Sequence, residues 1–232
     1  MRLFYFKNTR RPDFKNVKKF DYNAYWDSRG FTLRTKLMER ERIFFNWIRP
    51  GSRVLDIGCG NSRLLYELKH KKNCTVLGLD ISPKVVGELN RLGVPAKVAD
   101  LEAGLPADLG RYDYIIASEV LEHLKYPEDL VARLKPLGDR LVVSVPNSAF
   151  YRYRLHLMFT GRFFTQWAVH PAEHLRYWSH KDFLEWLGAQ GLTLERFKAA
   201  AGFELMDLWP NLFCATGCYL ARTKIDTQRD AG

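Results

Sequence analysis

Three aspartates and one short acid–histidine run are the residues of this 232-residue chain whose types and spacing can do chemistry. Asp56 opens the run Asp56-Ile57-Gly58-Cys59-Gly60-Asn61-Ser62, in which a glycine turn follows the apolar stretch Val54-Leu55. Beyond the carboxyl end of a strand, such a turn lets backbone approach a ligand closely. A dinucleotide fingerprint GxGxxG would need a third glycine where Arg63 stands. An acid just ahead of the first glycine also favours a cationic ligand over a pyrophosphate. Asp80 follows 20 residues after Gly60 and closes a second apolar run, where a carboxylate can accept both hydrogens of a ribose diol. Asp100, beside Leu101, closes a third. The plain alternative is that each acid only caps the helix after it. Three acids ending successive runs in order favour a shared pocket. Further on, Glu119-Val120-Leu121-Glu122-His123 has spacing i, i+3, i+4, which on a helix puts Glu119, Glu122 and His123 on one face.

Those residues need elements to hold them. From Thr32 to Ile48 the apolar spacing predicts a helix stopped by Pro50-Gly51. "RVLDIG", "TVLGLDIS", "AKVADL", "YDYIIASEV" and "RLVVSVPN" read as five strands. "SRLLYELKH", "PKVVGELNRLG" and "LEHLKYPEDLVARLKP" read as helices between them, the second with Ser82 as cap and Pro83 as first residue. "HKDFLEWLGAQG" adds a helix, and apolar runs near 192–208 and 212–222 predict a closing hairpin. Alternating strands and helices imply βαβ units and a parallel sheet covered on both faces. The expected fold is therefore α/β, doubly wound and Rossmann-like. It has a mainly parallel seven-stranded sheet and a C-terminal β-hairpin.

Composition narrows the class. At 47% apolar, 14% aromatic and 27% charged residues, the chain is an ordinary globular one. No stretch approaches the ~18–20 uninterrupted apolar residues of a membrane-spanning helix. Cys59, Cys74, Cys214 and Cys218 lack zinc-ligand spacing, so a reduced, cytoplasmic protein without a secretory leader is expected. The formal charge of +10 is uneven. Residues 1–50 hold 13 Lys and Arg against 5 Asp and Glu, while the remainder is nearly balanced. A basic arm suits nucleic acid, acidic lipid or an acidic partner, and equally a solvated face. The domain reading is a basic, aromatic extension over 1–30, one domain over 31–226 with a substrate-side insertion at 149–180, and a tail over 227–232.

The motifs "VLDIGCGNSRLL", "VLGLDIS", "VADLE", "YDYIIASEVLEHL" and "LVVSVPN" resemble the class I S-adenosylmethionine-dependent methyltransferases over about residues 52–183. More narrowly, with "RYRLHLMFTGRF" and "HLRYWSHKDFLEWL", they are similar to the group containing the MetW proteins and the ubiquinone-pathway O-methyltransferases. The resemblance implies S-adenosylmethionine as cofactor, held by Asp56, Gly58, Cys59, Gly60, Asp80, Ile81, Asp100, Leu101 and Ser118. Asp100 would meet the adenine amino group, and Leu101 would cover the ring. The run Glu119, Glu122, His123 with a distant His174 also looks like the metal site of small-RNA 2′-O-methyltransferases and of some ubiquinone-pathway O-methyltransferases. That implies a divalent ion, Mg²⁺, Mn²⁺ or Zn²⁺, binding acceptor hydroxyls. Two other readings stay open. His123 and His174 can serve without metal as general base or orienting donor; or the glutamates only stabilise a helix start while His123 fills the wall.

The acceptor is carried by segments outside this half. Residues 150–178 interleave aromatics with Arg152, Arg154, Arg162 and Arg176, a mixture that suits stacking on a flat acceptor, a membrane surface, or plain packing. The expected activity is O-methylation of a small-molecule, sugar or lipid-like acceptor. RNA 2′-O-methylation and a non-catalytic, S-adenosylmethionine-binding partner of the MetW type are the rivals. His70, His156, His170 and His180 read as surface or loop residues.

Overall fold

The computed structural model describes residues 21–29, 31–164 and 173–223. Its centre is a seven-stranded sheet in the order β3-β2-β1-β4-β5-β7-β6. Strands β1 (Arg53–Ile57), β2 (Thr75–Asp80), β3 (Ala96–Val98), β4 (Tyr112–Ser118) and β5 (Gly138–Pro146) pair in parallel. β6 (Leu192–Gly202) and β7 (Cys214–Thr223) form the antiparallel hairpin, with β7 against β5. The doubly wound expectation holds. Residues 203–209 turn instead of extending the hairpin strand.

Side chains alternate across a strand, so neighbours in sequence enter opposite layers. Val54, Ile116 and Val142 enter one cluster, while Leu55, Ile115 and Val143 enter the other. The first layer packs α2 (Glu39–Trp47), α3 (Leu64–Lys72) and α4 (Pro83–Arg91) through Phe44, Leu65, Leu68, Val85 and Leu89. The second packs α5 (Pro127–Leu134) and α7 (His180–Ala189) through Leu130, Leu134, Phe183 and Leu187. Chain order thus runs outward from β1 in one direction and from β4 in the other. The crevice between their carboxyl ends is the switch point where open α/β sheets bind ligands.

Several expected boundaries move for physical reasons. The first predicted helix begins at Glu39 and not at Thr32, because the Glu41 carboxylate accepts from the Met38 N–H (2.8 Å) and fixes the start there. An additional helix, α1 (Tyr22–Arg29), lies within the predicted extension, of which residues 1–20 fall outside the described residues. The stretch after β4 is not one helix. Glu119 adopts a left-handed φ of 56°, Leu121–His123 make a single 3₁₀ turn, and α5 waits for Pro127. Ser82 does cap α4, accepting from the Val85 N–H, with Pro83 first in the helix. The insertion contains α6 (Tyr151–Thr160); residues 165–172 and the tail at 227–232 lie outside the described residues. His156 is buried in α6 and His180 is half-buried against Tyr219, so neither is a surface residue; His70 is exposed, and His170 lies outside the described residues.

Candidate active site

A cavity of about 580 Å³ opens at the switch point, within the ~300–1,000 Å³ usual for small-ligand sites. Its floor is the turn after β1. Gly58 and Gly60 hold φ of 64° and 51°, a region that costs residues with a Cβ about 1–2 kcal/mol. A Cβ on Gly58 would stand 2.7 Å from Val120 Cγ2, so glycine is needed for space as well. The turn is pinned from β2. The Cys59 N–H donates to the Leu79 carbonyl (3.1 Å), and the Gly60 N–H to Asp80 Oδ2 (2.9 Å). Asp80 Oδ1 accepts from the Ser82 N–H (2.9 Å). Burial raises the Asp80 pKa, and those two N–H donors oppose the rise.

The predicted cofactor residues divide into two groups. Gly58, Gly60, Asp80, Ile81, Asp100 and Leu101 all line the cavity. Asp100 sits just past the short β3, where its Oδ1 accepts from the Glu102 N–H (3.0 Å). Asp56, Cys59 and Ser118 do not line it. Asp56 is buried behind the turn, one oxygen lacking a hydrogen-bond partner. Its pKa is pushed well up, by burial first and then by Glu41 and Asp80. The Cys59 thiol packs in the core toward Gly78. Ser118 Oγ accepts from Arg40 Nε (3.1 Å) and meets Ser144 Oγ at the same distance.

His123 also lines the cavity, whereas Glu122 and His174 do not, and the three bring one ligand-capable atom each within 4.8 Å of one another. The 3₁₀ turn places the first two. His174 is strapped on by the Leu175 and Arg176 N–H groups, both donating to the Glu122 carbonyl (2.7 and 3.1 Å). The histidine rings meet edge to face at 4.7 Å. His123 Nδ1 lies 2.6 Å from the Glu173 carbonyl. A carbonyl oxygen has no hydrogen to give, so Nδ1 carries the proton and Nε2 keeps its lone pair. Burial lowers both imidazole pKa values, and with His123 beside it His174 falls to about 3. Both are neutral at pH 7. Neither oxygen of buried Glu122 has a hydrogen-bond partner. Burial, then the Glu119 charge, pushes its pKa well up.

Glu119 does not join this group as a ligand, although it was expected to. Its left-handed backbone breaks the helical register, and the residue lines the cavity instead. Burial raises its pKa against the opposing charge of Arg40.

Sequence reasoning missed α1, which supplies Tyr22, Tyr25 and Trp26 to the cavity wall. Trp26 lies over Gly60, at 3.3 Å from where a Cβ would be. The Tyr22 ring meets His123 edge-on at 6.3 Å. Burial, followed by Glu173, Glu122, Glu102 and Asp80, keeps the Tyr22 phenol protonated. The spacing of Tyr22, Tyr25 and Trp26 at i, i+3 and i+4 was the available signal.

Sheet order, glycine turn and acid-ended strands define a class I S-adenosylmethionine-dependent methyltransferase fold. A solved structure of the same build is the TehB-like S-adenosylmethionine-dependent methyltransferase of Corynebacterium glutamicum, with TM-score 0.54 and 22% identity over 87% of this chain and 94% of that one. The family model described as methionine biosynthesis protein MetW matches residues 39–221, and the chain belongs to that family. Among relatives, the bifunctional methionine biosynthesis protein MetXA/MetW of Rhodopirellula baltica is 27% identical over 131 residues, covering 53% of this chain and 21% of its own length. The ubiquinone biosynthesis O-methyltransferase of Coxiella burnetii is 28% identical over 154 residues, 62% of this chain and 64% of the relative. The chain thus matches under two thirds of either relative.

Proposed function

We propose that this chain transfers a methyl group from S-adenosylmethionine to an oxygen of a small, sugar-, quinone- or lipid-like acceptor. The observation that carries the reading is one cavity lined both by the Asp80–Gly60 turn and by His123, which belongs to the Glu122–His123–His174 cluster. When bound, S-adenosylmethionine supplies an electrophilic methyl on a sulfonium. The residues present fit it. Asp80 would keep a lone pair on each oxygen for ribose hydroxyls, and Asp100 with Leu101, both on the cavity wall, would meet the adenine. Gly58, Cys59 and Gly60 offer backbone, with Asp56 behind the turn and Ser118 behind the strand end.

Displacement at a sulfonium methyl needs alignment and removal of the acceptor proton. The oxygen acceptor is favoured because a neutral imidazole stands ready for that proton, which a carboxylate acceptor would not need. Neutral His123, oriented by the Glu173 carbonyl, has Nε2 free to take it. The ubiquinone O-methyltransferase relative supports the same class of acceptor atom.

Glu122, His123 and His174 also fit a divalent ion, because the two unpartnered oxygens of Glu122 are buried beside two neutral imidazoles. That nitrogen-rich set suits Mn²⁺ or Zn²⁺ better than Mg²⁺. A bound ion would supply positive charge that lowers the pKa of an acceptor hydroxyl.

Calorimetry with S-adenosylhomocysteine tests the first half, and no heat would end the reading. The second half is tested with labelled S-adenosylmethionine against phenols, sugars, carboxylic acids and short RNA. Methylated phenols or sugars, lost in His123→Ala, are expected. Methylated RNA would move the acceptor class, and binding without turnover on any acceptor would leave a non-catalytic partner. Sensitivity to chelator decides the ion.

A further inference from the structure

From Arg140 to Ala172 the sequence has four arginines and no Asp or Glu. Within that stretch α6 has two unlike faces. Tyr153 and His156 turn inward, and Tyr153 stacks on Phe164 at 4.0 Å. The opposite face is also apolar: Met158 is 65% exposed, and Phe163 just beyond the helix is 83% exposed. A surface helix of a globular protein ordinarily turns polar residues outward.

A second element extends this face. Tyr151 of α6 packs against Phe203 and Phe213 at centroid distances of 6.0 and 5.9 Å. Arg154 Nη2 donates to the Asn211 carbonyl (3.3 Å). Residues three and four after Arg154 share its side of the helix, so Leu157 and Met158 stand on the side that meets the 203–213 loop. That loop exposes Leu208 by 81% and Trp209 by 56%. Of the two acids between them and β6, Asp207 is paired with Lys198, and Glu204 is exposed. What remains is a patch of long apolar and indole side chains with Arg152, Arg154 and Arg162 beside it.

We propose that α6 and the 203–213 loop form a docking surface for an anionic lipid bilayer. The occupant follows from the chemistry. Large apolar groups with a tryptophan suit the acyl–headgroup boundary, and three arginines against the one exposed, unbridged acid of the loop, Glu204, suit anionic headgroups. The surface stands on exposure and charge alone and needs no methyl transfer.

The test is co-sedimentation of the full chain with vesicles of phosphatidylcholine alone or mixed with phosphatidylglycerol. Binding to the mixed vesicles, absent from the neutral ones and weakened by salt, is expected. Met158→Asp with Leu208→Asp should weaken it at least about tenfold, the equivalent of about 1.4 kcal/mol. Both sites are exposed, so unchanged circular dichroism and S-adenosylhomocysteine affinity accompany that loss. No binding to mixed vesicles overturns the proposal. So does equal binding by the double variant, which would hand the interaction to the basic residues before position 20. Loss of self-association in the double variant without any vesicle binding would identify a second copy as the occupant and likewise overturn it.

Discussion

Two buried carboxylates, Asp80 on the cavity wall and Glu122 next to His123, are handled in opposite ways. Asp80 has each oxygen on a backbone N–H, from Gly60 and Ser82. Glu122 has neither oxygen engaged by another residue, and two imidazoles bring ligand atoms within 4.8 Å of it. A buried carboxylate with donors is part of the scaffold, whereas one without them is costly until a proton or cation arrives. The end proposed for the nucleoside is therefore built in advance by the turn. The end proposed for the acceptor keeps unsatisfied groups in reserve.

That contrast can be broken most severely at Gly58. Gly58→Ala forces a Cβ against Val120 at positive φ, which should cost about 2–5 kcal/mol of stability from strain and overpacking together. Thermal unfolding measures it, and S-adenosylhomocysteine affinity should be lost. Adding Val120→Ala should restore the packing share but not the conformational one.

Asp80→Asn and Glu122→Gln sharpen the comparison by predicting opposite signs. The first leaves a single acceptor oxygen for two N–H donors, so both melting temperature and nucleoside affinity should fall, the latter about 10–100-fold. The second removes a carboxyl whose ionised form burial disfavours, so the comparison belongs at an alkaline pH where Glu122 is ionised. The metal-free protein should then melt about 2–4 °C higher, as about 1 kcal/mol gives at this size. Mn²⁺ or Zn²⁺ affinity, read by calorimetry, should fall at least about tenfold. Equal signs in the two variants would erase the distinction.

Acid should act through Asp80. Its folded pKa is raised by burial, so it takes up a proton at a higher pH than in the unfolded chain. Between those two pKa values the folded state holds more protons, and this group's contribution to stability grows as pH falls. Binding that needs the ionised carboxylate weakens over the same window. Nucleoside affinity should thus drop at a pH above the ordinary aspartate value of about 3.9, and Asp80→Asn should abolish that drop. The smallest effect belongs to Ser179→Ala, which removes the capping box of α7. It should cost about 1 kcal/mol without altering nucleoside affinity.

Much of the turn at the end proposed for the nucleoside was legible because it is local. A turn needing two positive-φ glycines and a strand ending in an acid are short-range features, readable at Gly58, Gly60 and Asp80. The role of Asp56 was not, since whether a strand-end acid faces the cavity or lies behind the turn depends on how the turn folds over it. The run from Glu119 to His123 misled because helical spacing presumes a helix. One left-handed residue and a proline at 127 replace that helix with a single 3₁₀ turn.

By itself the sequence determined the α/β alternation, the order of the acid-ended strands and the glycine turn, since periodicity and backbone sterics act over a few residues. Only the tertiary structure decided that residues 50 apart, His123 and Glu173, share a hydrogen bond. It also decided that α1 walls the cavity, and that Glu122 is left without donors. Those outcomes depend on which segments pack together, and burial far along the chain sets the charge and reach of each group.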